Sequence, residues 1–134
     1  MTNRADVVRG HARLHETAAA LFRALDAVDV TNITSRVENF LSAVETHLRL
    51  DATLAYRLLL RHPSDSVHRV AERILTEQEF AAQSFEGFKE RWRGASPTDL
   101  LRSPFRDELE TIVSSLLQRI RAELRLFDLL SGVA

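Results

Sequence analysis

Two pairs of ionisable residues stand four apart on otherwise apolar stretches: His47 with Asp51, and Arg119 with Glu123. On a helix that spacing puts both members of a pair on one face. His11 and His15 repeat the spacing near the start of the chain, and Gln78 is the lone polar residue of another apolar line. Imidazoles and carboxylates are suitable ligands for a transition metal set between helices. Arg119, always charged, is instead the cation that buried carboxylates require. The same residues therefore admit three readings: a metal site, a self-satisfied polar network, or long charged side chains that reach water at the rim of the fold.

The elements that must position these residues are helices. Glycine (4) and proline (3) are scarce, and Val, Ile, Thr and Tyr dominate no stretch. Asn3 with Asp6 reads as an N-cap followed by an acid in the first turn. The stretch Val28-Asp29-Val30-Thr31-Asn32 breaks the first pattern, and Ser35 with Glu38 has capping-box spacing. Pro63 excludes continuation of the second helix, and Ser64 or Asp65 can cap the third. Gly94 closes the third, and Ser103-Pro104 opens the last after the longest connection. The spacing predicts helices over 4–28, 35–62, 65–93 and 104–131, packed as one antiparallel up-down four-helix domain spanning residues 1–134.

Alternating steps of four and three residues trace the buried seam of each helix. The first seam is Val7, His11, Leu14, Ala18, Leu21, Leu25 and Val28; the second is Ile33, Val37, Phe40, Val44, His47, Asp51, Leu54 and Leu58. The third is Val67, Ala71, Ile74, Gln78, Ala81, Phe85, Phe88 and Trp92, and the fourth is Phe105, Leu109, Ile112, Leu116, Arg119, Glu123, Leu126 and Leu130. Counting from a turn near residue 31 sets His15 level with His47, and His11 level with Asp51. Gln78, Arg119 and Glu123 fall in the same stretch, which gives one buried polar layer.

Composition excludes much else. Without cysteine there is no disulfide scaffold, thiolate-bound zinc, iron–sulfur cluster or thiol catalysis. The net charge of −1 carries no basic arm for nucleic acid. No apolar run approaches a membrane span, and the N-terminal residues lack a signal-peptide core, so the expected location is the cytoplasm. His15-Glu16 begins like a zinc-protease signature, but Ala19 stands where its second histidine belongs. Phe80 lies off the third seam, beneath the long loop or in a contact between two copies. Small basic rows, Arg69 with Arg73 and Arg121 with Arg125, can meet an acidic protein partner.

Over essentially its whole length the chain resembles the hemerythrin-like, HHE cation-binding bundles. That family's pattern is a His on helix one, His-x-x-x-Glu on helix two, one or two His on helix three and His-x-x-x-Glu/Asp on helix four. Leu14-His15-Glu16-Thr17-Ala18 looks like the first segment, with His11 the competing match, and Glu45-Thr46-His47-Leu48-Arg49-Leu50-Asp51 is similar to the second, with Asp for Glu. Arg119-Ile120-Arg121-Ala122-Glu123 resembles the last motif, with Arg for His, and Gln78 stands where helix three carries histidine. A guanidinium has no lone pair for a metal, so these departures remove ligands and add an opposing cation.

The resemblance, with its departures, implies a noncatalytic interaction or regulatory bundle without a cofactor. Its polar core would be made by Arg119, Asp51, Glu123, His47 and Gln78. The alternative is an iron-binding sensor or oxygen-reactive protein holding one metal ion on His15 or His11, His47, Asp51 and Glu123.

Overall fold

The computed structural model describes the backbone of residues 4–130 and the side chains of residues 8–50 and 61–125. The described residues are all-helical. Four long helices, α1 (Arg4–Asp26), α2 (Ile33–Arg61), α3 (Asp65–Trp92) and α5 (Ser103–Leu130), are joined by short connections, with a single turn, α4 (Pro97–Leu100), before the last. α1 packs on α2, α2 on α3 and α3 on α5, while α1 also meets α5 and α4 bridges α2 and α5.

The core follows the apolar periodicity. Leu14, Ala18, Leu21 and Leu25 of α1 face Ile33, Val37, Phe40 and Val44 of α2 in one cluster that continues through Phe85 and Phe88 of α3 into Phe105, Leu109 and Leu116 of α5. Phe40, Phe88 and Phe105 are completely buried, each contributing about 1.5–3 kcal/mol through burial. Phe88 stacks on Phe105 at 5.8 Å and meets Phe40 edge-on at 6.5 Å, and Trp92 closes the group edge-on to Phe105 at 5.2 Å. Val7, Leu54, Leu58, Leu126 and Leu130 of the expected seams have side chains outside the described residues.

The helix boundaries differ from expectation at three places, each for a local reason. α1 ends at Asp26 in a Schellman turn, in which Asp29 N–H donates to Ala24 O at 2.9 Å and Val28 N–H to Leu25 O at 3.2 Å. Val28, expected on the seam, occupies the left-handed position of this turn with φ 51° and is 60% exposed. α2 starts at Ile33, with Arg36 N–H donating to Asn32 O at 3.0 Å, and the side chain that serves its entry is the Asp29 carboxylate, not Ser35: it accepts from Asn32 N–H at 3.2 Å. Ser35 lies inside the helix and donates its hydroxyl back to Asn32 O, so the Ser35–Glu38 capping box does not form. Finally, Ser96 accepts from Asp99 N–H and Pro97 sits in the first turn, making α4 out of the stretch expected to be loop. Its Leu100 is 1% exposed and plugs the end of the core.

α3 begins as anticipated, with Ser64 rather than Asp65 as cap, accepting from Val67 N–H. Gly94, at φ 79°, supplies the left-handed residue after its end.

Candidate metal centre

Three helices each send one ionisable side chain into the interior, that of α2 from the middle of the helix. His11 of α1, His47 of α2 and Glu123 of α5 are 6%, 2% and 1% exposed. Their placement follows from the seams: each continues an apolar line, after Phe40 and Val44 in α2 and after Leu116 in α5. His11 Nε2 lies 2.7 Å from Glu123 Oε2, and His47 Nε2 lies 3.3 Å from Glu123 Oε1. The two imidazole rings are 5.2 Å apart and tilted by 58°. One carboxylate thus spans two imidazoles, both through Nε2.

The arrangement supports two chemical states. Without an ion, Nε2–H of His11 donates a hydrogen bond to Glu123, and His47 presents its Nε2 edge to the other oxygen. With the proton on Nδ1 instead, both Nε2 atoms carry a lone pair beside the carboxylate. The three donor atoms all lie within 4.8 Å of one another. Adjacent ligands of a metal at ordinary bond lengths stand roughly 3–3.4 Å apart, so the observed 2.7 and 3.3 Å need only a small opening on the His11 side. Two histidines and one carboxylate make a donor set typical of divalent transition metals, and the residues fit such an ion.

Arg119 precedes Glu123 by one turn of α5 and is 7% exposed. It lines a groove against Thr76, Phe80 and Ala81 of α3, whereas Glu123 meets α1 and α2.

The other anticipated members of the polar layer part company here. His15 is exposed, one turn from His11 on the outward side of α1. Its expected level with His47 fails because the hairpin pivots at Asp29, the residue after left-handed Val28, two positions before the assumed turn; that shift moves the facing residue by a full helical turn, to His11. Gln78 is half-buried and donates from Nε2 to the backbone carbonyl of Leu48, tying α3 to α2 beside Glu45 and Lys89, not to the cluster. The side chain of Asp51 lies outside the described residues. His68 contacts the carbonyl of His62 in the α2–α3 connection.

No protein-family model, curated protein or solved structure matches the chain. No helix among the described residues is long and apolar enough to cross a membrane.

Proposed function

We propose that the chain is a hemerythrin-like, antiparallel up-down four-helix bundle that binds a single divalent transition-metal ion, iron foremost, on His11, His47 and Glu123. The observation that carries this reading is the convergence of three buried donors from three different helices on one point. The antiparallel arrangement is supported by pairs at both ends of α1 and α5: Asp26 meets Arg106, and His11 meets Glu123. Between α2 and α3, Glu45 meets Lys89 and Arg93. Glu123 would supply the anionic ligand, and the imidazoles, as neutral Nδ1–H tautomers, the nitrogen ligands. A bound ion there would offer a Lewis-acidic or redox-active centre. The role is binding or sensing, with no catalytic side chain assigned.

Elemental analysis of purified untagged chain after reconstitution with ferrous iron or zinc tests it. The expectation is close to one ion per chain, falling to background in His47→Ala and in Glu123→Gln. A folded wild-type protein that takes up neither ion would defeat the proposal.

A second reading, a metal-free interaction or regulatory bundle, is favoured by the 2.7 Å contact between His11 and Glu123, which is already a good hydrogen bond, and by the buried cation Arg119 one turn away. On that reading the polar cluster specifies how the helices pack and the surface carries the function.

A further inference from the structure

We infer that the groove between α3 and α5 is a binding site for a small organic oxyanion, a phosphate or carboxylate carried on a flat apolar group. The groove has a volume of about 560 Å³ and is walled by Arg73, Thr76 and Phe80 of α3 and by Ser115, Gln118 and Arg125 of α5, with Arg119 beneath. That volume lies within the range of small-molecule sites. Of the ionisable side chains lining it, three are arginines and one, Glu77, is an acid.

Several other cations along these helices are engaged: Lys89 pairs with Glu45 and Glu86, Arg91 with Glu108, the C-cap residue Arg93 with Glu38 and Glu45, and Arg106 with Asp26 and Glu110. Arg73 and Arg125 make no ion pair with any described residue, although Glu77 stands one turn from Arg73. Two planar guanidinium forks on opposite walls match the paired oxygens of a phosphate or carboxylate. The hydroxyls of Thr76 and Ser115 and the amide of Gln118 add neutral donors on the same walls.

The second half of the ligand follows from Phe80. Its ring is 74% exposed beside these cations, and it is the one large apolar side chain that α3 turns to water while Phe85 and Phe88 are buried. An aromatic or flat apolar group laid on that ring removes both surfaces from water, while its charge reaches the arginines. The basic rows seen along α3 and α5 in the sequence divide accordingly. Arg73 and Arg125 turn into the groove, and their row partners Arg69 and Arg121 are exposed and do not line it.

The test is a ¹H–¹⁵N NMR titration of the full chain, with and without added metal, using phenyl phosphate, benzoate, inorganic phosphate and benzyl alcohol as probes. Phenyl phosphate or benzoate should shift the amides of Thr76, Phe80, Ser115 and Gln118 saturably, and whichever binds more tightly identifies the oxyanion. Arg73→Gln and Arg125→Gln should each weaken binding about tenfold, without change in the far-ultraviolet circular dichroism. Phe80→Ala should weaken phenyl phosphate but leave inorganic phosphate unaffected. Shifts scattered over other surfaces, benzyl alcohol binding as well as the anions, or undiminished affinity in the Arg73→Gln/Arg125→Gln double variant would each overturn the inference. None of these residues belongs to the metal cluster, so the outcome is independent of metal uptake.

Discussion

Replacing Glu123 by alanine removes the carboxylate that both buried imidazoles address, and the size of the effect can be worked from the contacts. The side chain is 1% exposed, bonded to His11 at 2.7 Å and within 3.3 Å of His47. Each hydrogen bond to a charged group contributes about 1.5–3 kcal/mol, and breaking a buried charged pair by deleting one partner costs about 3–5 kcal/mol. The deletion also leaves His11 and His47 polar edges in a dry interior. Glu123→Ala is therefore expected to destabilise the metal-free protein by about 3–5 kcal/mol, read as the loss of unfolding free energy in urea followed by circular dichroism. Glu123→Gln keeps the volume and one acceptor. Its amide can donate to one imidazole whose proton has moved to Nδ1, so the expected cost is smaller, about 1–2 kcal/mol. The ordering is the sharper part of the prediction. A Glu123→Ala protein within 0.5 kcal/mol of wild type, or a Gln variant less stable than the Ala variant, would refute the reasoning that the cluster is a closed, desolvated network.

Val28→Gly should stabilise the fold by about 1 kcal/mol in the same assay, because a β-branched residue at φ 51° is replaced by one without a steric penalty there; a loss of stability would argue against the left-handed turn. Arg119→Ala should cost about 3–5 kcal/mol if its buried charge balances the carboxylate one turn away, whereas a change below roughly 0.5 kcal/mol would mean that water already reaches it. The Asp29 carboxylate is held below its ordinary range chiefly by the side chain of Asn32. Its contribution is present above the unfolded carboxylate pKa and is lost as pH falls through the lower folded value. Asn32→Ala should consequently flatten the decline of stability below pH 4, and an unchanged acid limb would remove Asp29 from the account.

Much of the architecture was legible because apolar periodicity and breakers agree. Seam positions such as Leu14, Phe40, Phe88 and Leu109 are buried as their spacing requires, and Pro63, Ser64 and Gly94 divide the helices where their backbone chemistry demands. His47, Arg119 and Glu123 were equally readable, since each interrupts an apolar line and is buried. The choice between His11 and His15 was not, because it depends on where a turn pivots, and a Schellman turn with valine in the glycine position carries no composition signal. Gln78 differs for another reason: a side chain amide on the seam can donate to a neighbouring backbone carbonyl, here that of Leu48, and periodicity cannot distinguish that from membership of a polar core network. The turn α4 carried its signal openly in Ser96-Pro97, an N-cap followed by proline in the first turn, but within a connection of only ten residues that pattern competes with ordinary loop chemistry.

The contact between His11 and Glu123 spans 112 residues and joins the first helix to the last. No fragment ending before α5 can contain it, and the entropy of closing so long a segment must be met before the contact forms. The cluster is thus a clasp that is complete only when α5 is docked against α1 and α2. A ligand that recognises it binds the finished fold and not the unfolded chain, so each tenfold excess of that ligand over its dissociation constant raises the unfolding free energy by about 1.4 kcal/mol. The same residues that would hold an ion would then make the survival of the folded chain depend on how much of that ion its surroundings supply.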